Sequence, residues 1–279
     1  MIRIALSGVS MAWLLISASA QTLYDGALRT LPAEQDWAFL AFPGGAVQAL
    51  GDDAVCLDTW SSALEQAGYG RTTPVALDRS AGVTVLFTAR VDQESHGGPD
   101  RAGFSVIVLG HDQRGIELGF WTNAVFAQFD LPLFTRAEDA GFDTRTGFVD
   151  YALTLRPDRY QLRANGAPVL EGPARDYTAF SGAIDPYETP DFVFLGDDTT
   201  SARAVVWIRR VVLVPAPLLR ISADGTVTWA GVADVPYTIE TSADLAVWTR
   251  LASVTSTTGL CTHTVAPGTD ARFLRVAGP

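Results

Sequence analysis

Apolar and polar residues alternate with a period of two along most of this chain, and that pattern directs it to an all-β fold. In Gly82–Val91 the apolar Val83, Val85, Phe87, Ala89 and Val91 share one face, and Thr84, Thr88 and Arg90 share the other. Phe104–Leu109 is almost wholly apolar, as expected of a strand buried on both faces. Gly115–Trp121 puts Ile116, Leu118 and Phe120 on one side, and Glu117 and Trp121 on the other. Ala124–Phe129, Phe148–Leu155, Asp158–Ala164, Asp191–Leu195 and Ala202–Val214 continue the series. Asn165-Gly166 tolerates positive φ at both positions, which predicts a tight type I′ hairpin. Ser62 to Glu65 reads as a single capped helical turn, and no sustained 3.6-residue period appears elsewhere. Many short strands with turn signals between them predict a sandwich or barrel.

With 279 residues, 48% hydrophobic and 18% charged, the chain has room for one large β domain or two smaller ones, and enough apolar mass to bury a core. Its start reads as an export leader over residues 1–20: Arg3, a short apolar run from Ile4 to Ile16, then Ala18-Ser19-Ala20 as a cleavage site. The run is shorter than the roughly 20 apolar residues a membrane span needs, so a secreted or cell-surface location is expected. Pro215-Ala216-Pro217 is the expected linker between residues 21–214 and 218–279. The short strands after it, Leu218–Ser222, Thr226–Ala230, Tyr237–Thr241, Val247–Ala252, Thr262–Val265 and Arg272–Val276, fit a small immunoglobulin-like sandwich. Trp248 and Phe273 are its expected core residues.

The net charge is −11, and every basic residue is Arg. An acidic surface repels nucleic acid and anionic lipid, which removes both as partners. Cys56 and Cys261 fall in different predicted domains; two separate thiols are favoured over a disulfide, although an oxidising compartment would permit one.

The large domain resembles the choice-of-anchor Y family of bacterial secreted and surface proteins, which belongs with the concanavalin-like, laminin-G-like jelly rolls. The resemblance is carried by Leu23-Tyr24-Asp25-Gly26, Leu31-Pro32 through Trp37, Glu94-Ser95-His96, Arg101 to Ile107, Gly115 to Trp121, Ala127-Gln128, Phe142-Asp143-Thr144 and Phe194 to Thr199. It implies a concanavalin-like jelly-roll sandwich at a cell surface and no enzyme activity. The C-terminal stretch resembles, more loosely, immunoglobulin-like or fibronectin-like modules, through Tyr237 to Ser242, Asp244-Leu245, Trp248, Leu251 and Arg272 to Val276.

Candidate chemistry is sparse. There is no G-x-S-x-G elbow, no His or Cys spacing for zinc, and no strand carrying two carboxylates at same-face spacing for glycoside hydrolysis. Glu94 and His96 offer an acid and a base but fall on an expected loop after a strand. Glycan binding is the leading function. Trp121 would stack on a sugar ring, Glu117 and Gln128 would bond its hydroxyls, and Arg101 and His96 would rim the groove, with Gly119 leaving room for the ligand. The alternatives are that Trp121 is core and that Arg101 pairs with Glu117 internally. A structural or adhesive protein and a carbohydrate-active enzyme are the rival functions. Asp197-Asp198 is a candidate calcium site if Asp143 or Asp100 completes it; the alternative is a turn whose carboxylates bond backbone N–H groups.

Overall fold

The computed structural model describes residues 2–3, 20–215, 219–222, 224–231, 234–265 and 273–277. The contacts divide the chain into a large unit, Thr22–Leu213, and a small one comprising Met1–Gln21 and Val214–Pro279. Most of the expected leader lies outside the described residues, as do Ala216 and Pro217 of the expected linker. Ile2–Arg3 is described, as an edge strand against Phe273 and Leu274; cleavage after Ala20 would remove it.

The large unit is a two-sheet sandwich of the jelly-roll kind. Its front sheet runs in the order Leu133–Gly141, Ala124–Asp130, Gly115–Phe120, Ser105–Leu109, Phe192–Asp197, Gln66–Thr72 and Ala38–Phe42. Its back sheet runs Ala167–Pro173, Arg159–Ala164, Val149–Leu155, Val83–His96, Ala202–Pro215, Val55–Asp58 and Val47–Leu50, with Gln21–Asp25 paired to Ala202–Pro215. The core lies between the sheets and follows the alternation read from the sequence. Val83, Val85, Phe87, Ala89 and Val91 enter it from the back, and Ile116, Leu118 and Phe120 from the front. The polar set points outward, where Thr84 Oγ1 meets Thr154 Oγ1 at 2.8 Å and Thr88 donates to Asp150 at 2.7 Å.

Asn165 and Gly166 have φ of 48° and 80°, as a type I′ hairpin requires. Two local expectations change. Ser62 to Glu65 forms a hydrogen-bonded turn, not a helix, and the Glu65 carboxylate accepts from Gly44 N at 3.0 Å. Glu94 and His96 lie inside the long strand Val83–His96, not on a loop, so as residues i and i+2 they share a face.

In the small unit one sheet orders Ile2–Arg3, Phe273–Ala277, Tyr237–Ser242 and Thr249–Val254, and the other Arg220–Ile221, Thr226–Ala230 and Leu260–Thr264. Its buried rings are Trp229 and Tyr237, 6.1 Å apart and edge-on. Trp248 is only half-buried, beneath the Arg275 guanidinium at 4.1 Å, and Phe273 is half-buried too. Cys56 and Cys261 are both free, buried thiols.

A Cβ at Gly196 would stand 2.4 Å from Gly68 Cα and 2.5 Å from Ala67 O, both backbone atoms of the neighbouring strand. Gly196→Ala is therefore expected to destabilise the large unit by about 1–3 kcal/mol in chemical denaturation. Gly147→Ala, where nothing lies within 4 Å, should stay within about 0.5 kcal/mol of wild type. Equal effects at the two positions would refute the close approach.

Candidate functional site

The outer face of the front sheet follows from its register. Glu117 pairs with Ile107, Ile107 with Phe194, and Phe194 with Gly70. Continuing Ala127↔Leu118 by one step sets Gln128 opposite Glu117 at the head of this row. The next row is Phe126, Gly119, Ser105, Gly196, Gly68 and Leu40. Four consecutive small residues make it a trough. Large rings lean in from both ends: a Cβ on Gly119 would meet Phe126 Cζ at 2.5 Å, and one on Gly68 would meet Phe194 Cζ at 2.4 Å.

A strap, residues 176–190, crosses this face. Both its ends are pinned to the same hairpin. Arg175 and Gly115 exchange backbone hydrogen bonds of 2.7 and 3.0 Å, and Asp191 N donates to Gly110 O at 3.2 Å. Tyr177, Phe180 and Tyr187 pack with Phe134, at centroid separations of 5.1 to 5.9 Å for the four contacts of Phe134 with Tyr177, Phe180 and Tyr187 and of Phe180 with Tyr187. Below them the Tyr177 hydroxyl donates to Gln128 O at 2.8 Å and accepts from Glu117 N at 3.2 Å. Between strap and sheet a cleft of about 110 Å³ remains, walled by Phe180, Ile184, Phe192 and Phe194, with Gln66, Tyr187, Asp197 and Asp198 as its polar residues.

Asp198 and Glu117 meet at the trough. The two side chains are hydrogen-bonded to each other. Burial pushes the Glu117 carboxyl well above its usual range, and the neighbouring negative charge of Asp198 raises it further. Burial also raises Asp198, opposed by hydrogen bonds from Ser105 and Glu117. Like charges in contact cannot both ionise, so the pair holds one proton between them. Each carboxyl accepts one hydroxyl, Tyr187 Oη to Glu117 Oε2 at 2.5 Å and Ser105 Oγ to Asp198 Oδ1 at 2.9 Å; their mutual hydrogen bond raises Glu117 and lowers Asp198, the direction that leaves the proton on Glu117 and the charge on Asp198. The chain of bonds runs from the strap through Glu117 to the cleft wall.

The sequence-derived candidates are distributed as follows. Glu117 and Gln128 do sit side by side on the face away from the core, but strap and rings cover them, leaving 3% and 2% exposure. Phe126 fills the space expected to be free at Gly119. Gln128 Nε2 donates to Asp100 O at 2.8 Å. Arg101 makes no ion pair with Glu117; its Nη1 donates to the carbonyls of Asp100 and Phe134 at 3.1 and 2.6 Å. Trp121 is half-buried, its indole N–H bonded to Arg101 O at 2.7 Å. The His96 ring stacks on it at 3.8 Å and the Arg136 guanidinium lies 4.4 Å from its centre, so its faces are already occupied. His96 Nδ1 meets the Glu94 carboxylate at 3.0 Å. Burial raises the Glu94 carboxyl, with His96 opposing.

Asp197 and Asp198 point to opposite faces, as neighbours on a strand must. Asp197 Oδ2 lies 2.9 Å from Thr59 Oγ1 on the core side. Neither Asp100, which accepts from Arg136 N at 2.8 Å, nor Asp143, which accepts from Arg145 N at 2.9 Å, joins them. Among the described residues no group of three or more metal-ligating side chains assembles, so calcium has no built site there. The sequence reading missed the strap, the cleft and the pairing of Asp198 with Glu117. The one signal for them was the unusual run of Gly and Ser at strand positions 68, 105, 119 and 196.

Burial pushes the Asp197 carboxyl up to about 9. In the unfolded chain the group titrates near 3.8, so between these values the folded state holds the extra proton and stability falls as pH rises. Glu117 and Asp198 act in the same direction. Scanning calorimetry of the full chain should show the large unit's midpoint dropping between about pH 5 and about pH 9 by more than about 3 °C, the shift that ~1 kcal/mol makes in a unit of this size. Asp197→Asn should flatten the slope. A midpoint that rises over this range would contradict the protonated state.

No family model and no curated protein matches the chain. The resemblance to the choice-of-anchor Y family therefore rests on the residues quoted above. Among solved structures, the carbohydrate esterase vb_24B_21 from Shiga toxin-encoding bacteriophage phi24B is 12% identical, covering 70% of this chain and 98% of that one at a TM-score of 0.47. The metal-free carbohydrate recognition domain of Emp46p is 11% identical, covering 69% and 94% at 0.44. A protein of unknown function with a galectin-like fold from Bacillus subtilis is 11% identical, covering 71% and 97% at 0.43. At these identities and TM-scores the likeness carries no argument, and the all-β sandwich rests on the strand order and core described above.

Proposed function

We propose that the large unit is a non-catalytic carbohydrate-binding module of an exported, cell-surface or matrix protein, and that the cleft between strap and front sheet is its binding site. The observation that carries this reading is the cleft's composition: aromatic walls from Phe180, Phe192 and Phe194 beside Asp197 and Asp198, of which Asp197 has its carboxyl engaged by Thr59 and Thr199 N. A pyranose has the matching chemistry, an apolar ring face that packs on aromatic carbon and hydroxyls that donate to a carboxylate. Glu117 and Gln128 support the floor from beneath. Trp121 lies about 13 Å beyond Glu117 at ~3.3 Å per residue, and it, His96 and Arg101 are outside the cleft lining. The neighbours named above include an esterase as well as a recognition domain, so chemistry on sugars is the rival reading. The geometry argues against hydrolysis: carboxyls that share a proton stand in contact, whereas glycosidases hold theirs about 5–10 Å apart around the scissile bond.

On a glycan array the full chain should bind a subset of polysaccharides. Phe192→Ala should weaken that binding by roughly tenfold, the scale of one lost aromatic contact, with the thermal midpoint preserved. Release of reducing ends from any polysaccharide on the array would establish the enzyme instead, and an array blank at every position would favour a purely structural or adhesive role. Export is part of the proposal, on the strength of Arg3, the apolar run and Ala18-Ser19-Ala20. Mass spectrometry of the protein secreted by its host should find a chain starting at Gln21; Met1 retained on cytoplasmic protein would rule it out.

A further inference from the structure

We propose that the cleft under the strap selects neutral, hydroxyl-rich rings and rejects their uronic-acid counterparts, with Asp198 as the selecting group. This rests on the carbohydrate reading above and narrows it to a substrate class.

Asp198 lines the cleft and is the ionised member of its pair: Ser105 Oγ donates to one of its oxygens at 2.9 Å, and Glu117 bonds to it from behind. Carboxylate oxygens carry about four lone-pair sites between them, so acceptor capacity remains for a ligand. Gln66 donates one of its two amide N–H groups to Asp198 O at 2.7 Å, which leaves its carbonyl oxygen as an acceptor and one N–H as a donor. The Tyr187 hydroxyl, the other donor nearby, is spent on Glu117 Oε2. Asp197 faces the core side and is occupied by Thr59 and by Thr199 N. The polar side chains around the cleft therefore offer mainly acceptors, with one Gln66 N–H as the neutral donor among them.

Cations are missing in the same place. No Arg or His is among the residues lining the cleft, and the chain has no Lys. Arg101 is the cation whose charge acts on both Glu117 and Asp198, but its Nη1 is held by the carbonyls of Asp100 and Phe134. A sugar hydroxyl brings a donor to this acceptor-rich wall. A uronate carboxylate brings only acceptors and a second negative charge, against a carboxylate already removed from most of its water. The two ligand types differ at one carbon, yet the wall treats them oppositely.

The test uses matched probes of one ring type. Titration calorimetry of the full chain should compare galactan- and mannan-derived oligosaccharides with oligogalacturonates and oligomannuronates of equal length at low salt. The uronates are expected to bind at least about tenfold more weakly. That ratio should narrow at about 1 M salt, where screening acts over about 3 Å. Asp198→Asn should bring the ratio near one. Uronates that bind the wild type as well as their neutral partners would overturn the selectivity. A ratio unchanged in Asp198→Asn would overturn the assignment to Asp198. Should that variant fail to fold, a wild-type ratio indifferent to salt would overturn the assignment equally. Failure of both probe types and of every other neutral glycan to bind would remove the carbohydrate reading itself, a different outcome from loss of selectivity.

Discussion

A β-strand has two faces, and in the middle of the front sheet neither is left to water. Ser105–Leu109 and Gly115–Phe120 are buried along their whole lengths. The inner face is covered by the back sheet, as in any sandwich, and the outer face by residues 176–190. Every polar group on that outer face must then find a protein partner, because an unsatisfied one costs about 1–3 kcal/mol and a lone charge much more. Glu117, Ser105 and Gln128 all stand there. The buried phenols of the strap, the proximity of Asp198 and the shared proton answer that demand for Glu117 and Ser105, while Gln128 satisfies its amide nitrogen on Asp100 O and leaves Oε1 without a partner.

The trough of small residues decides where a ligand has space. Were the positions of Gly68, Ser105, Gly119 and Gly196 filled with branched side chains, the strap would ride higher and Asp198 could not reach Ser105. With them small, Phe194 and Phe126 lie down over the backbone, and the carboxyl pair fits between the rings. Packing and the shape of the cleft thus depend on the same residues, and a cleft with aromatic walls and an acidic end is a by-product of how this sheet hides its second face.

Much of the fold was legible because alternation is a local property. Val83 through Val91 and Ile116 through Phe120 reveal their core face to anyone who counts by two, and Asn165-Gly166 reveals its hairpin by the φ values it tolerates. Parity also placed Glu117 and Gln128 together. It could not say whether the face opposite the core was wet, because its cover comes from a segment about sixty residues later whose tyrosines and proline read as an ordinary loop. The same distance hid the partner of Glu117. A search for paired acids along one strand fails when the second acid, Asp198, arrives from another. Asp197 and Asp198 adjoin in the sequence, and the pleat separates their side chains, as alternation along a strand predicts.

The pinning of both strap ends to one hairpin has a further consequence. A segment that leaves and rejoins the body at Gly115 and Gly110 is topologically an Ω-loop, closed at its base and held to the sheet by its own aromatic side chains. Such a loop can be lengthened, shortened or exchanged while the strands beneath keep their register. In descent and in engineering alike, the sandwich is then a chassis on which residues 176–190 are an interchangeable part. Related chains could carry one scaffold and many specificities, diverging fastest where this excursion crosses the sheet.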